Sequence, residues 1–299
     1  MRYFVIRTEK LSKYFGKRRG IEDFSIEVEP GEVYGVLGSS GSGKTTLVRL
    51  LLDLIRPSDG RALVLGMDSH ENNQGIHRQI GYLPSHFDLY PHMTGDALLR
   101  YLSGFRRGVQ WETVSALAER LAVDLFQPIF KLSYGERQKI GLLQAFMHRP
   151  ELVILDEPTR YLDEAGMQAF FSLVSEVRAQ GVCVFLTSSN PYDLERVCDR
   201  AAVMHEGRLV TVERGVQLRA RSLRKVEMHF ALPVTAETLR GVPNLQDICL
   251  QENSLRCTLR GAPEALLKAV SPWQMTDFIC QQPALEEVFR LNYGVSSHE

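Results

Sequence analysis

The sequence predicts an α/β domain built around a parallel sheet, followed by a smaller α+β domain. Three observations lead to this prediction. A short apolar strand runs directly into a glycine-rich loop and an amphipathic helix between residues 32 and 57, and two further apolar strands flank a helix between residues 152 and 186. After about residue 222 the pattern changes to short strands and helices, so the predicted domains cover residues 1–220 and 221–299.

The composition is that of a globular chain with balanced charge. The 299 residues are 44% hydrophobic, with a mean hydropathy of −0.14. The 35 Lys and Arg residues against 36 Asp and Glu residues leave a net charge of −1. The overall positive charge typical of nucleic-acid-binding proteins is therefore missing, and we expect no nucleic-acid partner.

Cysteine usage and the amino terminus predict a cytoplasmic location. The five cysteines are odd in number and widely spaced without a C-x-x-C pair, which argues against a disulfide framework or a structural zinc site. The first 20 residues lack the apolar stretch of a signal peptide. No window approaches the roughly 20 apolar residues that a membrane-spanning helix needs. We expect any role at a membrane to depend on a partner protein.

The first predicted strand covers residues 32–37. Its run VYGVL is short, apolar and bounded by Gly31 and Gly38, as expected of a buried strand. The helix that follows ends before Pro57 and carries five apolar residues at helical spacing: Leu47, Leu50, Leu51, Leu54 and Ile55. Strand, glycine-rich loop and helix therefore follow one another without interruption.

The loop between this strand and this helix fits the phosphate-binding pattern G-x-x-x-x-G-K-[ST]. Its glycines let backbone N–H groups converge on phosphate oxygens, and the helix amino terminus adds partial positive charge. Lys44 is expected to reach the terminal phosphates, and the Thr45 hydroxyl is suited to bind Mg²⁺. We predict that a nucleotide is held by nine consecutive residues: Gly38, Ser39, Ser40, Gly41, Ser42, Gly43, Lys44, Thr45 and Thr46.

A second apolar strand, residues 152–155, leads into two acids, Asp156 and Glu157. Open α/β sheets bind ligands at the carboxyl ends of their strands, which places both carboxylates beside the phosphate loop. Asp156 is predicted to hold Mg²⁺ through its waters, and Glu157 to orient or deprotonate the attacking water. A solvated acidic turn is the plainer alternative.

The remaining elements complete both predicted domains. A helix with an apolar face between residues 167 and 174 connects the second strand to a third at residues 182–186, giving a β-α-β crossover. Residues 88–148 are rich in helical patterns and interrupt the sheet. From residue 221 the predicted order is β-α-β-β-α-β-α, which a ferredoxin-like domain would have.

Residues 132–138 read LSYGERQ, which resembles the LSGGQ signature of ATP-binding-cassette (ABC) proteins. Tyr134 stands where the family has the first glycine of its pair, and Glu136 stands where it has glutamine. The stretch HRPELVILDEPT follows, and then YLD at residues 161–163, which looks like the family's D-loop with tyrosine where glycine is usual. Together these motifs cover most of residues 1–220.

The resemblance implies a P-loop NTPase (RecA-like) cassette with antiparallel β and helical subdomains, the helical one at about residues 88–148. It also implies a composite site, in which the phosphate loop of one subunit faces the signature of another in a head-to-tail dimer. A small serine and a glycine at a helix amino terminus would form a second phosphate cradle, which supports this arrangement. The nucleotide contacts implied are Ser133, Tyr134, Gly135 and Glu136, with Phe15 aligned to the residue that stacks on adenine and Tyr14 as the rival.

Two positions depart from the family's pattern. Ser85 stands where relatives have a glutamine that senses Mg²⁺ and the water, and Ser189 stands where a histidine normally contacts the γ-phosphate. Losing one charge-stabilising contact in such a site costs on the order of 10²–10³ in rate. We therefore expect slow hydrolysis, with Ser189 or Asn190 offering a neutral hydrogen bond. His205 is expected to be a structural or surface residue.

The resemblance also implies a membrane partner. Residues 86–91 look like the part of a cassette that contacts a permease, with a loop packed on its own domain as the alternative. The tail from Pro283 to Gly294 resembles the closing helix of drug-resistance and polysaccharide-type (type 2) ABC exporters, while its spacing alone indicates only an apolar helix stripe. The implied partners are an integral-membrane permease and a second ATPase subunit, identical or different, at the inner face of the cell membrane.

The function implied is ATP-driven export, in which ATP closes the cassette dimer and hydrolysis or product release reopens it. A cassette protein acting on nucleic acid or ribosomes is an alternative of a different class, and the balanced charge and single cassette disfavour it. A regulatory ATP-binding subunit with little turnover is a third reading, suggested by Ser85 and Ser189.

Overall fold

The computed structural model describes residues 3–106, 108–215, 217, 223–233, 235, 239, 241–281 and 283. The chain forms two compact units, Met1–Arg214 and Gly215–Glu299. The boundary predicted between residues 220 and 221 falls on residues outside this description and stays a prediction. Among the described residues, no helix combines the length and apolar character needed to cross a bilayer.

The first unit alternates strands and helices along the chain. Its strands are β1 (Ile6–Phe15), β2 (Arg18–Phe24), β3 (Glu27–Val28), β4 (Val33–Leu37), β5 (Asp59–Val64), β6 (Met67–Asp68), β7 (Ile80–Leu83), β8 (Leu152–Asp156), β9 (Cys183–Ser188), β10 (Arg200–His205) and β11 (Arg208–Arg214). Its helices are α1 (Lys44–Leu51), α2 (Asn73–Gln79), α3 (Gly95–Ser103), α4 (Trp111–Arg120), the 3-10 helix Ile129–Lys131, α5 (Tyr134–Phe146), α6 (Glu164–Ala179) and α7 (Pro191–Val197).

A six-stranded sheet forms the centre of this unit, in the order β11-β10-β4-β9-β8-β7. The strands from β10 to β7 are parallel, and β11 pairs with β10 in the antiparallel sense at one edge. Every residue of β4, β8 and β9 is buried, because both faces of a parallel sheet are covered. These three strands are those predicted at residues 32–37, 152–155 and 182–186, so the α/β prediction is confirmed.

A second sheet, antiparallel, has the order β2-β1-β5-β6, with β3 paired to β1. It shares one hydrophobic core with the central sheet. In this core, Ile6 and Phe24 of the small sheet pack with Val36 of β4 and Leu47 of α1. This sheet is the antiparallel β part expected from the family resemblance.

Helix α1 is shorter than its apolar stripe predicts. It ends at Leu51, and Asp53 has a positive φ of 50°, which a continuing right-handed helix does not allow. Leu54, which the stripe placed on the buried face, is 54% exposed. The predicted extension of this helix beyond Leu51 is therefore wrong, because the turn at Asp53 ends the helix before the stripe ends, while Ile55 still packs against the core.

Between β7 and β8 the described residues form α3, α4, the 3-10 helix and α5. Two of these helices begin at side-chain caps. The Thr94 hydroxyl accepts the N–H of Ala97 at the start of α3, and the Ser133 hydroxyl accepts the N–H of Glu136 at the start of α5. Such caps satisfy N–H groups that have no partner inside the helix.

The second unit contains β12 (Leu223–Phe230), β13 (Leu245–Gln251), β14 (Ser254–Arg260), α8 (Glu264–Val270) and β15 (Met275–Gln281). All strand pairs are antiparallel, in the order β13-β14-β12-β15. Counted along the unit this is 2-3-1-4, the strand order of a ferredoxin-like sheet. Its core includes Met228, Leu255 and Leu266. The helices predicted from Ala236 and after Pro283 lie largely outside the described residues.

Stability is expected to fall as pH is lowered, because of His148. This residue is 8% exposed, and burial, with Arg106 adding repulsion, lowers its pKa from 6.5 to about 4. Between these values the unfolded chain binds a proton that the folded chain excludes, so stability decreases from pH 7.5 to pH 5 by about 2 kcal/mol. Urea unfolding of the wild type and His148→Gln at both pH values measures the effect. The variant should lack this component, and equal pH dependence in both proteins would contradict the assignment.

Candidate active site

The phosphate loop connects β4 to α1, and its backbone explains its glycines. A Cβ on Gly38 would lie 2.3 Å from Ser42 Oγ and 2.8 Å from the carbonyl oxygen of Met204. Gly43 has a φ of 109°, and a Cβ there would lie 2.6 Å from the carbonyl oxygen of Gly20. Only glycine fits such positions. Helix α1 begins directly after Gly43, so its unpaired first-turn N–H groups border the loop.

Lys44 is buried at the base of this loop, with 6% of its surface exposed. Its Nζ donates to the carbonyl oxygens of Gly38 at 2.6 Å and Ser39 at 3.0 Å. The same amine lies 3.2 Å from Oε1 of Glu157. The structure therefore brings together the two residues that the sequence assigned to the terminal phosphates and to the attacking water.

Asp156 ends β8 and is completely buried. Its Oδ2 accepts the hydroxyl of Thr45 at 2.8 Å, and its Oδ1 accepts the hydroxyl of Thr187 at 2.5 Å. Burying a carboxylate without hydrogen-bond donors is unfavourable, and the two hydroxyls supply such donors to Asp156. The predicted metal ligands Thr45 and Asp156 are thus in direct contact. Thr187 is not among the predicted site residues, and its position at the end of the neighbouring apolar strand is the only feature of the sequence that indicates it.

Glu157 follows β8 with a φ of 54°, a backbone conformation that few non-glycine residues adopt. Its backbone N–H donates to both the carbonyl and the hydroxyl oxygen of Thr187 at 3.2 Å. Its Oε2 accepts the N–H and the hydroxyl of Ser189, each at 3.2 Å. The carboxylate is therefore held between Ser189 on one side and Lys44 on the other.

Asp193, in the first turn of α7, clamps the two loops that carry Glu157 and Ser189. Its Oδ2 accepts the hydroxyls of Thr159 at 2.6 Å and Ser188 at 2.8 Å, and the residue is 2% exposed. Burial raises its pKa, against the lowering effect of these hydrogen bonds. Sequence patterns gave no signal for this residue, because its role depends on two loops distant in the chain.

A cavity of about 790 Å³ opens above the phosphate loop. Phe15 contributes its aromatic ring, which is 48% exposed and lies 5.4 Å from the Lys13 amine. Tyr14, the rival for this role, does not line the cavity, and its hydroxyl donates to Glu22 at 3.1 Å. Asn190, the alternative to Ser189, lines this cavity. It is also lined by ten of the predicted nucleotide-binding, metal-binding and catalytic residues: Phe15, Ser40, Gly41, Gly43, Lys44, Thr45, Thr46, Ser85, Glu157 and Ser189.

The signature residues form a separate surface at the start of α5. The Glu136 carboxylate accepts the N–H and the hydroxyl of Ser133, both at 2.8 Å, and these bonds lower its pKa. A Cβ on Gly135 would lie 2.6 Å from the carbonyl oxygen of Tyr161. Tyr134 is 70% exposed, and its ring centroid lies 5.3 Å from that of Tyr161. None of residues 133–136 lines the cavity described above.

Known proteins resemble this chain in sequence and in fold. The ABC transporter family model matches residues 21–160. A bacitracin transport ATP-binding protein of Enterococcus faecalis is 31% identical over 259 residues, 85% of this chain and 83% of that protein. A probable multidrug ABC transporter ATP-binding protein of Escherichia coli (strain K12) is 31% identical over 223 residues, 73% of this chain and 38% of that protein.

A solved structural neighbour is the dimeric ATP-binding cassette MJ0796 in a post-hydrolysis state, bound to ADP and Pi. It is 18% identical with a TM-score of 0.61 and covers 70% of this chain and 98% of that one, a likeness that concerns the fold. The Enterococcus relative matches most of both chains at 31% identity. The protein accordingly belongs to the ABC transporter family, as one of its ATP-binding subunits, and is an ATPase.

Proposed function

We propose that this chain binds and hydrolyses ATP to drive an ABC exporter of the drug-resistance and polysaccharide-type branch, through a separate membrane permease. The observation that carries the proposal is the contact cluster at the carboxyl ends of β4 and β8. There Lys44 contacts Glu157 and Thr45 contacts Asp156, at the base of a cavity of about 790 Å³. The names of the bacitracin and multidrug relatives support transport as the use of this ATPase activity.

The site suits Mg²⁺ as well as ATP. Thr45 and the fully buried Asp156 offer hard oxygen donors 2.8 Å apart, the chemistry that Mg²⁺ prefers. These two residues would hold the ion, which would supply charge neutralisation of the phosphates when bound. Ser85 lines the same cavity and is a third candidate ligand, although its hydroxyl lies 3.4 Å from Nδ1 of His86.

The remaining roles follow from the same contacts. Lys44 would transfer its hydrogen bonds from loop carbonyls to the terminal phosphates, and the backbone N–H groups of residues 38–46 would cradle the others. Glu157 would orient or deprotonate the attacking water, with Ser189 fixing the carboxylate. Phe15 would stack on the base, because its exposed ring faces the same cavity.

Two cassettes would complete each site. Ser133 and Gly135 lie at the amino terminus of α5, where a helix favours anions, yet they do not line their own chain's cavity. A second cassette, identical or different, would bring its nucleotide to this surface. The dimeric state of the structural neighbour supports such a pairing.

Exposed aromatic rings support a permease contact near residues 86–91. Tyr90 is 59% exposed and meets Tyr101 edge-on at 6.5 Å, and Phe105 extends the row at 5.2 Å from Tyr101. Phe87, in contrast, is only partly exposed and packs towards Gly141 of α5. An exposed aromatic row of this kind suits contact with another protein. The chain would thereby lie on the inner face of the cell membrane.

We also propose that hydrolysis is slow. Ser85 and Ser189 place short neutral hydroxyls at the cavity, and one missing charge-stabilising donor typically costs on the order of 10²–10³ in rate. Phosphate release from the isolated complex measures the rate. A turnover equal to that of cassettes with histidine at this position would contradict the proposal.

Isolation of the full chain from membranes of its own cells, with identification of copurifying molecules, tests the proposed function. A multi-span membrane protein in fixed ratio to this chain is the expected result. Copurification of RNA or ribosomes without such a protein would point to the nucleic-acid class instead. A copurifying permease with ATP bound but not hydrolysed would indicate a regulatory subunit.

A further inference from the structure

Arg160 lines the cavity and has no role in the function proposed so far. It follows Glu157 by one turn, since its backbone N–H donates to the Glu157 carbonyl oxygen at 3.2 Å. The Gln138 amide fixes the same turn by donating to the Pro158 carbonyl oxygen at 3.1 Å. Arg160 and the residue assigned to the attacking water therefore share one short, hydrogen-bonded loop.

Neutral groups hold the guanidinium. Its Nη1 donates to Nε2 of His86 at 2.9 Å, and its Cζ lies 4.9 Å from the ring centroid of Tyr161. An accepting Nε2 implies that the His86 proton is on Nδ1, which lies 3.4 Å from the Ser85 hydroxyl. No acidic side chain among the described residues forms an ion pair with Arg160. Within the described part of the chain, this positive charge on the cavity wall has no carboxylate as an ion-pair partner.

The backbone conformation of Tyr161 supports a functional role for the neighbouring Arg160 side chain. Its φ of 67° is a conformation in which a bulky residue is an outlier. The Tyr161 ring contacts both the Arg160 guanidinium and the Tyr134 ring, whose centroid is 5.3 Å away. The contacts with Tyr161 and His86 together restrict where the Arg160 guanidinium can lie.

Phosphoryl transfer depends on positive charge around the terminal phosphate. In hydrolysis a water oxygen forms a bond to the terminal phosphorus, the bond from that phosphorus to the ADP oxygen breaks, and the water proton passes to Glu157. Near the reacting groups, Ser85 and Ser189 contribute neutral hydroxyls only. A planar guanidinium with several donors is well suited to the phosphoryl oxygens.

We propose that Arg160 is a catalytic residue that donates to the terminal phosphate of ATP bound in this cavity, and that His86 and Tyr161 are its positioning residues. The proposal rests on the proposed ATPase site and adds Arg160 to Lys44 as a cation at the terminal phosphate. Arg160 transfers no proton. It stabilises the charge on the phosphoryl oxygens as the bond to ADP breaks.

Turnover by the full chain with its copurified membrane partner tests the proposal, together with MgATP affinity. Arg160→Gln should lower kcat by about 10²-fold and leave the MgATP dissociation constant within about threefold. Arg160→Lys should recover part of the rate, because it keeps the charge and loses the planar fork. Arg100→Gln is the matched control, since Arg100 also stacks on a ring, at 3.9 Å from Trp111, but lies outside the cavity.

A double-mutant cycle separates positioning from simple structure. His86→Ala should lower kcat by a smaller factor than Arg160→Gln, and adding it to Arg160→Gln should cause no further loss. Wild-type turnover in Arg160→Gln, or a full additional loss in the double variant, would overturn the inference. If the wild type itself hydrolyses ATP no faster than Glu157→Gln, the proposed function is wrong. This result differs from those that would overturn only the role of Arg160.

Discussion

Replacing Lys44 with alanine is expected to abolish productive MgATP binding. The amine donates to two loop carbonyls and contacts Glu157 at 3.2 Å, and we propose that it binds the terminal phosphates. Its removal deletes charge-assisted hydrogen bonds worth about 1.5–3 kcal/mol each and leaves the Glu157 carboxylate facing the phosphates without compensation. We expect MgATP affinity to fall by at least about 10²-fold, measured by equilibrium binding to the purified chain.

Lys139→Ala provides the matched control for this experiment. Lys139 is also a buried lysine paired with an acid, Asp163 at 3.3 Å, and it does not line the cavity. Its substitution should leave nucleotide affinity near the wild-type value while imposing a similar burden on folding. Normal MgATP binding by Lys44→Ala would remove the basis of the proposed function.

Replacing Glu157 with glutamine is expected to lower turnover by about 10²–10⁴-fold, the usual contribution of a general base. Glutamine keeps the size of the side chain and an oxygen that can accept from Ser189, but it cannot take a proton from water. It also removes a negative charge beside the phosphates. ATP should therefore promote pairing of cassettes more strongly in the variant, measured by sedimentation in the presence of MgATP.

Glu176→Gln is the control, because Glu176 is an exposed acid on α6 that pairs with Arg120 outside the cavity. Neither turnover nor pairing should change in this protein. An unchanged phosphate-release rate in Glu157→Gln would show that another group activates the water. If the wild type does not hydrolyse ATP, Glu157→Gln should not increase the ATP-promoted pairing of cassettes. This result is expected of a regulatory subunit.

The central strands and the phosphate loop could be predicted because their signals are local. β4, β8 and β9 are runs of apolar residues between glycines, prolines or acids, and the sequence around Lys44 has a spacing that few other structures need. The roles assigned to the nucleotide-binding and metal-binding residues stay predictions, although the structure places most of them around one cavity.

Contacts between distant segments could not be predicted in the same way. The Asp193 clamp, the hydroxyl of Thr187 on Asp156 and the contact between Tyr134 and Tyr161 join residues from separate elements. The hydrophobic periodicity of one helix or strand does not indicate which residues of another element it contacts. The end of α1 was mispredicted for a related reason, since a turn at Asp53 overrides a stripe that continues in the sequence.

The clamp formed by Asp193 has a consequence for how this chain can vary between species. Thr159 and Ser188 both donate to one buried carboxylate. Loss of that carboxylate would leave two hydroxyls without an acceptor, and loss of either hydroxyl would leave a buried charge less satisfied. The three positions should therefore change together during evolution, and an ancestral replacement at one of them should be tolerated only when the other two are exchanged with it.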